Sequence, residues 1–66
     1  MQEFLGKKVL IHINISDIDK YYEATILEIS KTHITFKDKF QEIFTYRIVD
    51  IIEIKEFKEK GDRDDN

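Results

Sequence analysis

The feature that most constrains the fold of this chain is an alternation of apolar and other side chains with a period of two. In residues 8–15, KVLIHINI, the β-branched residues Val9, Ile11, Ile13 and Ile15 occupy every second position. Such spacing places all four on one face of a β-strand, whereas a helix would distribute them around its circumference. The segment therefore predicts a strand with one buried face.

A second strand is predicted after a polar turn at residues 16–20, SDIDK. Tyr22, Ala24 and Ile26 alternate, but Ile29 follows three positions later instead of two. This slip predicts a β-bulge near residues 27 and 28, which would bend the strand. A helix over residues 18–29 is the alternative, since the apolar residues also recur at near-helical spacing, but the aromatic and β-branched content favours a strand.

Three further strands are expected, over residues 33–39, 42–46 and 51–57, with a 3₁₀ turn where residues 47–50 interrupt the alternation. A polar connection at residues 38–41 would join the third strand to the fourth. The apolar residues expected to be largely buried are Val9, Ile11, Ile13, Ala24, Ile26, Ile29, Ile34, Phe36, Ile51 and Ile54.

Length and composition limit the alternatives. The 66 residues suffice for one small domain, which we expect at residues 1–57, followed by a disordered charged tail at 58–66 that has no apolar residue. The absence of cysteine excludes disulfides, cysteine-based zinc sites and thiol nucleophiles. Because no apolar run approaches a membrane span and the start lacks a signal-peptide pattern, we expect a cytoplasmic protein without a membrane partner.

The pattern resembles the small SH3-like barrels, and among them most closely the Sm-like proteins with their bacterial Hfq branch. Two segments carry the resemblance, which covers residue 6 to about 57: the bulged run Tyr22-x-Ala24-x-Ile26-x-x-Ile29, and residues 46–54, YRIVDIIEI. It implies an all-β, five-stranded SH3-like or Sm-like barrel. It also implies a homo-oligomer that binds single-stranded RNA.

The candidate RNA-binding residues are Lys31, His33, Tyr46 and Arg47, because the Sm-like fold brings the turn before the third strand close to the entry of the last. An aromatic ring and a guanidinium together can stack a base and hold a phosphate. The alternative for Arg47 is a surface ion pair with Asp50. A protein-interaction or assembly module that uses the same strands and binds no nucleic acid is the alternative function.

Catalysis and cofactor binding are not expected. No spacing suggests a nucleophile with its base, a barrel of this size fills its interior with its own side chains, and neither His12 nor His33 has a nearby partner to form a metal site. Self-association is expected through residues 43–46 and 51–54. The reason is a surplus of apolar side chains on the outward face, namely Leu10, Leu27, Phe44 and Ile52.

Overall fold

The computed structural model describes residues 1–57, and the expected tail at 58–66 lies outside them. The chain folds into five antiparallel strands that form one sheet in the order β4-β3-β2-β1-β5. The strands are β1 Lys8–Ile15, β2 Ile18–Ile29, β3 His33–Asp38, β4 Ile43–Arg47 and β5 Ile51–Glu56, with 3₁₀ turns at Gln2–Phe4 and Ile48–Asp50.

The all-β class, the first strand and the 3₁₀ turn before the last strand are confirmed. Residues 18–29 form β2, so the helical alternative for this segment is wrong. The sheet does not close into the expected barrel, because β4 and β5 lie at its opposite ends and do not pair with each other. The described part of the chain is an open sheet with two free edges.

A tight hairpin joins β1 to β2. The two loop residues, Ser16 and Asp17, have φ values of 52° and 66°, and the ladder continues to the pair Ile15 and Ile18 directly beside them. Positive φ at both central residues is the geometry of a type I′ turn, whose twist matches that of the flanking strands. This turn fixes the register of β1 against β2.

The predicted bulge in β2 is confirmed. Ile26 pairs with Phe36 but Glu28 pairs with Thr35, so Leu27 is the extra residue. Opposite the bulge, the backbone N–H of Gly6 donates to Ile26 O over 2.9 Å, and the N–H of Ile26 donates to Lys7 O over 3.1 Å. The amino-terminal segment therefore extends the pairing of the bent strand.

The core lies on the inner face of the sheet. Seven of the ten predicted core residues are buried: Val9, Ile11, Ile13, Ala24, Ile26, Ile34 and Phe36. The other three, Ile29, Ile51 and Ile54, pack against this core but are only partly buried, so the expectation for them was too strong. Ile51 and Ile54 belong to the edge strand β5, whose one neighbouring strand in the described part of the chain is β1.

The outward apolar residues are also partly reassigned. Leu27 and Ile52 are exposed as expected, and Leu10 is half-buried. Phe44 faces inward instead, because it pairs with the core residue Phe36. It is one of four aromatic residues in contact with each other on the inner face.

Candidate functional site

The predicted site lies where β3 begins and β4 ends. His33 and Arg47 are Cα partners across these two strands, so their side chains leave the same face of the sheet. Lys31 is exposed in the turn that precedes β3. We call Lys31, His33 and Arg47 the strand-end site.

Hydrogen bonds around Ser30 hold this turn in place. The Ser30 hydroxyl accepts the backbone N–H of His33 over 3.0 Å and that of Thr32 over 3.3 Å. The N–H of Ile48 donates to Thr32 O over 2.8 Å, which ties the turn to the end of β4. The Thr32 hydroxyl and His33 Nδ1 are 2.7 Å apart in a further hydrogen bond. The structure therefore brings the turn and Arg47 together, as the sequence predicted.

Arg47 makes the ion pair that was the alternative interpretation. Its Nε donates to Asp50 Oδ2 over 3.0 Å and its Nη2 to Asp50 Oδ1 over 3.3 Å. Two parallel N–H donors meet one carboxylate in this fork arrangement. The Asp50 carboxylate partly neutralises the positive charge with which Arg47 could bind a phosphate. The rest of the guanidinium is exposed.

Tyr46 does not share a surface with Arg47. Adjacent strand residues point to opposite faces, and Tyr46 pairs with the buried Ile34 on the inner side. Its hydroxyl lies 2.6 Å from that of Tyr22, and its ring stacks on Phe36 with a centroid distance of 5.9 Å. Of the four predicted residues, Tyr46 is thus the one that the structure separates from the others.

The surroundings of the Tyr22 hydroxyl change its acidity. Desolvation by burial, followed by the hydrogen bond to Tyr46, raises the pKa of the Tyr22 phenol to about 12. Phe36 and Phe44 contact the Tyr22 ring at centroid distances of 5.0 and 5.1 Å. This arrangement supports a packing role for both tyrosines.

The second candidate surface consists of the two sheet edges, β4 and β5, which we call the free edges. Edge strands expose unpaired backbone N–H and C=O groups that can template another strand. Each free edge also carries an exposed isoleucine: Ile43 on β4 is 61% exposed and Ile52 on β5 is 59% exposed. The edges predicted from the sequence are therefore those that the sheet leaves unpaired.

A groove on the outer face was missed by the sequence analysis. It has a volume of about 460 Å³, and Leu10, His12, Tyr21 and Glu53 are among the residues that line it. The rings of His12 and Tyr21 are stacked, with centroids 4.4 Å apart. A hairpin with the two-residue loop 16–17 places His12 opposite Tyr21. The length of this loop is therefore the sequence signal for the stack.

His12 is held by the same hairpin. Its Nε2 is 2.9 Å from Asp19 Oδ1, which also accepts the Asn14 amide over 3.0 Å. The Asn14 hydrogen bond and then the His12 hydrogen bond lower the pKa of the exposed Asp19 carboxyl below its usual value. These contacts support a structural role for His12.

Two further properties of residues 1–57 bear on the possible functions. No three His, Cys, Asp or Glu side chains in this range are placed to hold one metal ion. None of the helices in the same range has the length and apolar character needed to cross a bilayer.

Comparisons with protein-family models, with curated proteins and with solved structures gave no match.

Proposed function

We propose that this chain is a non-catalytic binding module that assembles with further copies of itself by pairing the β4 edge of one copy with the β5 edge of the next. The observation that carries the proposal is the open sheet order β4-β3-β2-β1-β5, which within residues 1–57 leaves one free edge at each end. A head-to-tail contact of this kind satisfies the unpaired backbone groups of both strands.

The two edges are matched in length and character. β4 has five residues and β5 has six, the chain contains no proline to block edge pairing, and each edge has one exposed isoleucine. Pairing would bring apolar side chains out of water on both sides of the new contact. The partly buried Ile51 and Ile54 lie on the same β5 strand and would gain cover from the incoming strand.

The test is size-exclusion chromatography with light scattering on the full chain and on two variants. Thr45→Pro removes a backbone donor within the β4 edge, and Ile52→Lys places a charge on the β5 edge. We expect the unmodified chain to be larger than the 8.0 kDa monomer at micromolar concentration, and each variant to reduce that size. The matched control is Leu27→Lys, at an exposed position of β2 away from both edges.

A monomeric full chain would contradict the proposal. So would an oligomer that both edge variants leave intact while their unfolding transitions stay cooperative, because the contact would then involve another surface.

The second candidate function is binding of single-stranded RNA at the strand-end site. Its support is the pairing of His33 with Arg47 across the two strands and the exposed Lys31 in the adjoining turn. Phosphate affinity depends on released counterions, and residues 1–57 carry only −2 overall once the net −1 of the tail is removed from the chain's −3. Any RNA contact would therefore be local and strongly dependent on salt.

Fluorescence anisotropy with a labelled oligouridine tests this candidate. Arg47→Ala should weaken binding, while Asp50→Asn should strengthen it by releasing the guanidinium from its ion pair. Lys20→Ala, at the exposed start of β2, is the control for general loss of charge. Equal affinities for all variants would exclude the strand-end site as the contact.

A further inference from the structure

The groove on the outer face, which we call the outer groove, has the size of a small-molecule site. Its volume of about 460 Å³ lies within the range of about 300 to 1,000 Å³ that is typical of ligand pockets. Leu10 and His12 of β1 form its floor, and both residues are half-buried. Side chains of β2 and β5 line its two sides, because these strands are the neighbours of β1 in the sheet.

One row of the outer groove carries opposite charges on its two sides. Leu10 pairs with Glu23 of β2 and with Lys55 of β5, so the three side chains leave the same face of the sheet. Neighbouring strands are about 4.8 Å apart, which places the Cα atoms of Glu23 and Lys55 about 10 Å from each other. Neither of these two side chains makes a hydrogen bond or an ion pair within residues 1–57. The row therefore presents a carboxylate and an ammonium on either side of an apolar floor.

The next row is aromatic. His12 pairs with Tyr21 of β2 and with Glu53 of β5, and the two rings stack with an interplanar angle of 16°. The contact of His12 Nε2 with Asp19 Oδ1 fixes the imidazole. Tyr21 is 71% exposed, so its ring has surface on which a further ring can stack. The two rows are about 6.8 Å apart along the strands, and one small molecule can contact both.

The charges around the outer groove have both signs. Lys39 also lines it, so the lining contains two lysines and two glutamates. Asp19 adds a third carboxylate beside the aromatic row, where its Oδ1 contacts His12 and accepts the Asn14 amide. A purely anionic ligand would meet three carboxylates, and a purely cationic ligand would meet two lysines. A ligand that carries one group of each sign avoids both conflicts.

We propose that the outer groove binds an aromatic amino acid in its zwitterionic form. The ammonium group of the ligand donates to Glu23, and its carboxylate accepts from Lys55. Leu10 lies below the α-carbon of the ligand, and the ligand ring stacks on Tyr21 in the next row. This site goes beyond the proposed assembly function and does not depend on it.

The experiment is a titration of the ¹⁵N-labelled full chain, followed by amide chemical shifts at neutral pH and constant ionic strength. The probes are L-phenylalanine, phenethylamine, which lacks the carboxylate, 3-phenylpropionate, which lacks the ammonium, and L-alanine, which lacks the ring. We expect saturable shifts of the Tyr21, Glu23 and Lys55 amides with L-phenylalanine. The other three probes should each bind at least about tenfold more weakly, because each loses one of the three contacts.

The variants change exposed side chains, which leaves the core intact. Lys55→Gln should weaken the binding of L-phenylalanine about tenfold without weakening that of phenethylamine, because phenethylamine has no carboxylate. Tyr21→Ala should weaken the binding of L-phenylalanine. Lys31→Gln, an equal change of charge in the exposed turn before β3, is the control and should leave the affinity unchanged.

Phenethylamine that binds as tightly as L-phenylalanine would overturn the proposal, because the outer groove would then be a site for cations. The absence of saturable shifts with L-phenylalanine would also overturn it. So would equal losses of affinity in Lys55→Gln and Lys31→Gln, or an unchanged affinity in Tyr21→Ala.

Discussion

Ile26 and Phe36 face each other across β2 and β3, and both are almost completely buried. Truncating either side chain removes apolar contacts and leaves a cavity that a tightly packed core fills only in part. Ile26→Ala or Phe36→Ala should therefore lower the free energy of unfolding by about 2 to 5 kcal/mol. For a domain this small, that is a large share of the total stability.

Urea unfolding followed by circular dichroism measures this effect. Leu27→Ala is the control, because Leu27 is the exposed extra residue of the bulge next to Ile26; it should cost less than about 1 kcal/mol. A larger loss for Leu27→Ala than for Ile26→Ala would mean that the register is shifted by one residue.

The hydrogen bond between the Tyr22 and Tyr46 hydroxyls leads to a second prediction, about stability at high pH. Because the folded-state pKa of Tyr22 is raised to about 12 from an ordinary value near 10, its contribution to stability is complete below pH 10. It is lost as the pH rises from 10 through 12, since the unfolded chain ionises first.

Tyrosinate absorbance near 295 nm follows this titration. The Tyr22 hydroxyl should ionise only near pH 12 or together with unfolding. Tyr22→Phe should remove this late phase. Complete tyrosine ionisation well below pH 12, with the fold intact, would contradict the raised pKa of Tyr22.

At the scale of elements, the conformation of the loop residues lowers the stability of the β1–β2 hairpin. Asp17 adopts a φ of 66° without being glycine, and this left-handed conformation is costly for residues with a Cβ. Asp17→Gly should raise the free energy of unfolding by up to about 1 kcal/mol, as measured by urea unfolding. Lys20→Gly, at a strand position, should lower it by about 0.5 to 1 kcal/mol; losses of equal size in both variants would contradict the type I′ turn.

The sequence predicted these elements well where one periodicity extended over a whole strand. The alternation in β1 gave its bounds, and the three-residue step before Ile29 gave the bulge. Phe44 was placed on the wrong face because β4 is only five residues long and its alternation is weak. The partial burial of Ile51 and Ile54 reflects the position of β5 at the edge of the sheet, which the alternation within one strand does not specify.

The candidate site was predictable in part. The approach of the residue 30–33 turn to Arg47 followed from the resemblance to the Sm-like strand order. The separation of Tyr46 from Arg47 follows from strand geometry, because β4 continues through Arg47 and adjacent residues point to opposite faces. The His12–Tyr21 stack could be predicted only from the register of β1 against β2, which follows from the two-residue loop at residues 16–17.

At the scale of the whole molecule, the sheet formed by residues 1–57 has an inner face with a small buried core and, among these residues, two ends without a neighbouring strand. The described part of the chain buries seven core residues and leaves nine large hydrophobic residues exposed. Small domains with a limited core often gain stability from association. Edge-to-edge pairing is the association that uses both unpaired ends at once.

The central claim is that another copy of the chain covers β4 and β5, and amide hydrogen exchange at increasing protein concentration tests it most directly. Every second backbone N–H of an edge strand points away from its own sheet. These amides of β4 and β5 should become protected as concentration rises, with Thr45→Pro abolishing the change, while amides of the central strand β2 stay equally protected throughout. Outward β4 and β5 amides that exchange at the same fast rate at every concentration would contradict the account.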